Sequence, residues 1–123
     1  MTLPQIHDGL ANATIMYCVI MAVWGFWRFF RKEGLSGGFF GAVVVAEILL
    51  LVQGVIGIIL FMGAGRYQAG FMHWLYGIVL VLSAPVVFAY TKGRQERPEM
   101  LLYAVAFLIM IALVLRAMVT AGP

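Results

Sequence analysis

Two histidines are the residues best suited to chemistry in this 123-residue chain. His7 stands at the head of an apolar run that continues to Trp27. His73 stands at the head of another, in Phe71-Met72-His73-Trp74-Leu75-Tyr76-Gly77. Imidazole is the commonest metal-ligating side chain, and it ligates in its neutral form near physiological pH. Two imidazoles at one depth would suit one metal ion held from opposite sides. A third reactive candidate, Glu47, lies among Val43, Val44, Val45, Ile48 and Leu49. An ionisable group inside an apolar run is a functional candidate by default, here for carrying protons or meeting a quinone headgroup, with structural hydrogen bonding to Ser83 or Tyr17 as the alternative. Cys18 is the single cysteine, so it reads as a small buried hydrophobe. Gln53 reads as an interhelical hydrogen-bonding residue.

The elements that must position these residues follow from composition. The chain is 64% hydrophobic and 11% charged, whereas soluble domains run roughly 45–50% apolar and about 25% charged. A water-soluble fold could not cover its surface with so few charges, so the sequence indicates an integral membrane protein. Each spanning helix needs roughly 20 apolar residues, which allows four. The expected helices cover about residues 4–31, 39–62, 71–91 and 99–120 of one domain. Thr2 and Pro4 look like the start of the first, and Pro85 falls inside the third. Strands are not expected, because membrane strands are about ten residues long with alternating polarity and these runs are continuous. The N-terminus lacks a positive n-region and carries Asp8, so it reads as a retained span rather than a signal peptide.

Basic residues set the expected orientation. Arg28, Arg31 and Lys32 flank the first junction, and Lys92, Arg94 and Arg97 the third, against Arg66 and Arg116 on the other side. The positive-inside rule then places both termini, the second junction and both histidines on the non-cytoplasmic side of an up-down antiparallel bundle. A bacterial inner (plasma) membrane is the expected location. A shift of 66 residues maps His7 onto His73, Arg28 onto Arg94 and Arg31 onto Arg97, a faint internal repeat.

In such a bundle helices 1 and 3 are diagonal, with axes roughly 11–14 Å apart if neighbours are 8–10 Å apart. Two inward imidazoles with one iron between them fill that gap, and bundle cores commonly hold cofactors. Gly77, one turn below His73, and Ala11, one turn below His7, would leave room for a flat macrocycle, as would Gly54 and Gly57 on helix 2. Arg66 and Arg116 lie at the same end and could pair with haem propionates. The expected cofactor is therefore haem b held by His7 and His73, with a chlorophyll-type pigment or no cofactor as alternatives. Two histidines are too few for a zinc site, since Asp8 points about 100° away from His7 on a helix. No phosphate-cradling glycine motif, nucleophile–base pair or nucleic-acid signature is present.

Gln53-Gly54 through Gly57, the short glycine-rich loop and His73 opening the next helix resemble the haem A synthase family. Ile6-His7 leading to Trp24, Trp27 and Arg28 resembles a histidine-bearing helix of that family. The resemblance covers helices 1 to 3. Members are larger, built as two four-helix bundles, each with a haem-ligating histidine pair, and a catalytic glutamate stands three residues before a histidine. That position here is Pro4. The resemblance therefore implies haem ligation by His7 and His73 and not the oxygenating chemistry; other small membrane cytochromes of the b type are similar to nearly the same degree.

The resulting expectation is a membrane cytochrome-b-like electron carrier, alone or within a respiratory or photosynthetic complex, in contact with lipid, with other membrane proteins or a second copy, and with a quinone. It is an electron-transfer protein more than a stand-alone enzyme. The alternatives are a cofactor-free accessory subunit and a small proton-coupled transporter using Glu47.

Overall fold

The computed structural model describes residues 2–63 and 70–119, and every regular element among them is an α-helix. They are α1 (Leu3–Phe30), α2 (Gly37–Gly63), α3 (Phe71–Thr91) and α4 (Arg97–Val119). Each is long and apolar enough to cross a membrane. Backbone hydrogen bonding inside a helix satisfies the peptide groups between its ends without water, which is why such runs fold this way in lipid.

The helix starts have local causes. Thr2 and Gln5 form a capping box, with Thr2 N–H donating to Gln5 Oε1 at 3.0 Å and Gln5 N–H to Thr2 Oγ1 at 3.4 Å. Ser36 caps α2 by accepting from Phe39 N–H at 3.0 Å. The Glu99 carboxylate accepts from Glu96 N–H at 3.2 Å at the head of α4. α1 and α3 stop in the same way. Lys32 N–H bonds the Phe29 carbonyl and Glu33 N–H the Arg28 carbonyl, both at 2.9 Å. Lys92 N–H bonds Ala89 O at 3.3 Å and Gly93 N–H bonds Phe88 O at 3.2 Å. Each is a Schellman closure turning on a left-handed lysine, φ 62° at Lys32 and 54° at Lys92.

These matching closures are 60 residues apart, not the 66 that separate the histidines. The faint sequence repeat is therefore not the register of the helix ends: it sets Arg28, in the last turn of α1, against Arg94, which lies beyond the end of α3.

Among the described residues α1 lies against α2 and α4, and α3 against α2 and α4, while no Cα atoms of the two diagonal pairs come within 8 Å of each other. The α1–α4 seam is the closest. A Cβ built on Gly25 would stand 3.0 Å from that of Ala104, so a small residue is needed where the backbones approach. Cys18, Met21, Ala22, Met100, Tyr103, Phe107 and Met110 fill the buried core along it. Trp24 meets Phe39 edge-on at 5.0 Å, and Tyr17 donates to the Ala42 carbonyl at 2.6 Å, joining α1 to α2. The outer faces are apolar: Met16, Val23, Phe30, Val55, Ile78 and Val86 are all more than half exposed. Such a surface is suited to lipid and not to water. The core is densest from the helix middles to the first and third junctions. The opposite end, which carries both histidines, is more open.

Candidate functional site

His7 and His73 sit at one end of the bundle on the two diagonal helices, the fifth residue of α1 and the third of α3. Both are half-buried. Their rings are held differently. His73 Nδ1 lies 2.7 Å from the Ala117 carbonyl of α4. A carbonyl only accepts, so Nδ1 carries the proton and Nε2 keeps its lone pair in the neutral ring. That is the usual way a ligating histidine is oriented by its surroundings.

The His7 ring rests on α2. A Cβ built on Gly57 would lie 3.3 Å from His7 Cε1, so glycine leaves the ring the space it occupies. One turn earlier on the same face, Gln53 Nε2 donates to the His7 carbonyl at 2.7 Å. This is the interhelical hydrogen bond expected of Gln53. Two polar atoms at this seat are buried without a hydrogen-bond partner: His7 Nδ1 and Gln53 Oε1. A buried polar atom left unpaired costs roughly 1–3 kcal/mol, so an orphaned imidazole nitrogen signals a need for a ligand, an ion or a water.

The other expected site residues divide. Gly77 faces open space, with nothing within 4 Å of a Cβ built there, and is half-buried below His73. Ala11 is half-buried below His7. Gly54 is exposed and also meets nothing, so it lies off the face that carries Gln53 and Gly57. Arg116 is exposed in the last turn of α4, next to Ala117, whose carbonyl takes His73. Arg66 lies outside the described residues. Trp74, beside His73, stands edge-on to Phe61 at 5.2 Å and joins α2 to α3 at this end.

Glu47 is separate from this cluster. Its Oε1 is buried without a partner. Tyr17 and Ser83, the partners its sequence position suggests, are committed elsewhere: Tyr17 to Ala42 O, and Ser83 Oγ to Val79 O at 2.7 Å. Cys18 is fully buried and free. Among the described residues no three of His, Cys, Asp and Glu converge as a metal-binding group, so the site offers one imidazole pair and not a carboxylate cage.

Sequence reasoning did not identify Ala117 as a partner, because the group that matters is a backbone carbonyl. No side-chain type marks it. No protein-family model, curated protein or solved structure matches the chain.

Proposed function

We propose that the chain is a membrane b-type cytochrome-like protein in which His7 and His73 hold one haem b for single-electron transfer. The observation that carries this reading is the pair of imidazoles at one end of the bundle, on diagonally placed helices. One is oriented through Nδ1 by a carbonyl, and the other has a buried nitrogen without a partner. These residues fit the group: neutral nitrogens on opposite helices, with Gly57 keeping side-chain bulk away from the His7 ring and open space beside Gly77. Bound there, haem supplies a one-electron redox centre. The chain's own part is to fix the ligands. Ala117 O sets the His73 tautomer, Gln53 ties the backbone of α1 at His7 to α2, and Gly57 seats the His7 ring.

The sequence resemblance of helices 1 to 3 to haem A synthase suggests the same cofactor, while Pro4 in place of the catalytic glutamate gives no reason to add oxygen insertion. The helix pairings Trp24–Phe39 near the first junction and His7–Gln53 far from it support the up-down antiparallel arrangement. Six basic residues at the first and third junctions support both termini, and so the haem, on the non-cytoplasmic side of a bacterial plasma membrane. A quinone or a larger respiratory or photosynthetic complex is the proposed electron partner.

The test is haem extraction from purified wild type, His7→Ala and His73→Ala. The account expects about one haem per wild-type chain and loss from both variants. Wild-type levels of haem in His7→Ala would reject this ligand pair.

One observation favours a second reading. The orphaned Glu47 carboxyl oxygen within a membrane span suits a proton-coupled transporter. Proton-driven transport in vesicles that stops in Glu47→Gln, with haem absent, would select it.

A further inference from the structure

The end of the bundle opposite the histidines holds six basic residues and three acidic ones, Glu33, Glu96 and Glu99. The two junctions there are locked into one surface. Leu35 N–H donates to the Gln95 carbonyl at 3.0 Å, and Arg97 Nε to the Phe29 carbonyl at 3.0 Å. Gly34 abuts the same Gln95 carbonyl so closely that any Cβ would collide with it.

The four arginines brace this surface. Arg28 donates to Gly34 O through Nε at 3.0 Å and Nη2 at 2.7 Å. Arg97 also lies over the Phe29 ring at 4.2 Å. Arg31 covers the Trp27 ring at 4.8 Å and pairs with Glu33 at 3.6 Å. Arg94 pairs with Glu99 at 3.6 Å. Lys32 and Lys92 take part in none of these contacts, and both are exposed.

Both lysines also occupy the position where Schellman closures ordinarily place glycine, and they are the only non-glycine residues with positive φ among those described. A side chain there strains the backbone. Favourable interaction with a helix C-terminus does not require that position, since a cation anywhere in the last turn obtains it. The positive-inside rule asks for charge at this end but not for a left-handed lysine. Strain kept twice, at unpaired cations, points to a ligand. The surface caps four apolar spans, so it lies at the depth of lipid headgroups.

We propose that Lys32 and Lys92, on the platform formed by the interlocked junctions, bind the phosphate of anionic phospholipids. This does not depend on haem binding.

The test is native mass spectrometry of the full chain taken from nanodiscs of phosphatidylcholine with or without phosphatidylglycerol. Wild type should retain phosphatidylglycerol over phosphatidylcholine, by about fivefold per lysine. Lys32→Gly with Lys92→Gly should lose the preference while its thermal midpoint in phosphatidylcholine is held or raised, because glycine relieves the strain. Lys32→Arg with Lys92→Arg should keep the preference. If the glycine variant does not fold, Lys32→Gln with Lys92→Gln gives the same reading. Retained preference in the variants without the two lysines would overturn the proposal. So would displacement of the lipid by millimolar inorganic phosphate, which would make the ligand a soluble anion.

Discussion

The two histidines differ in how their neighbours hold them, and that difference is testable. His73 depends on a carbonyl that no substitution at position 117 removes, while His7 depends on the absence of a side chain at Gly57. Gly57→Ala places a Cβ at 3.3 Å from His7 Cε1, so the ring must move by a few tenths of an ångström. The expected outcome is a folded protein whose haem band position and midpoint potential shift. Gly54→Ala, one turn earlier but facing open space, should leave both unchanged. Identical spectra for the two variants would contradict the seat described here. The histidines and Gly57 were legible in the sequence because residue type announced them. The separation of Gly54 from Gly57 was not, because a small-residue face can be drawn through either until the rotation of α2 is known. Glu47 makes the same point: its position suggested Tyr17 and Ser83 as partners, but both hydroxyls donate to backbone carbonyls of α2 and α3 instead. Glu47→Leu removes a buried oxygen without breaking a hydrogen bond, so stability should hold or rise by about 1 kcal/mol in a detergent unfolding assay.

At the scale of the helices, hydrophobic run length and turn residues located every element among the described residues. The expected and observed limits agree within two residues wherever they fall on described residues. Thr2 and Pro4 marked the first start correctly, and the structure adds Gln5 as the reciprocal half of its cap. How α1 and α3 end was less legible. A basic residue after an apolar run reads as membrane topology, and only the backbone shows that Lys32 and Lys92 are the turning residues. The contact between the first and third junctions links residues some sixty positions apart, which local pattern does not reveal. Gly34→Ala should therefore destabilise the protein by roughly 1–3 kcal/mol, since its Cβ meets backbone and not a yielding side chain. Gly37→Ala, with nothing within 4 Å of its Cβ, serves as the control and should cost little. Equal stability of the two in thermal unfolding would show that the junctions do not interlock.

For the whole molecule, composition alone indicated a membrane protein, and an apolar exterior around a core of small, aromatic and methionine side chains agrees with it. The placing of α1 and α3 on a diagonal was also legible, because short connections make successive helices neighbours. The tight α1–α4 seam at Gly25 and Ala104 was not, because α1 and α4 are far apart in sequence and no motif pairs them. The proposed orientation makes a separate prediction. In intact spheroplasts, a membrane-impermeant thiol reagent should label Asp8→Cys and spare Lys92→Cys, Cys18 being fully buried in the background. Labelling of position 92 alone would invert the bundle. The central claim is a single haem between two imidazoles, and a reduced-minus-oxidised optical spectrum of the purified, folded wild-type protein tests it most directly. The account predicts the sharp bands of a low-spin, bis-histidine b-type haem, lost in His73→Ala; a colourless, folded protein with no such bands would contradict it.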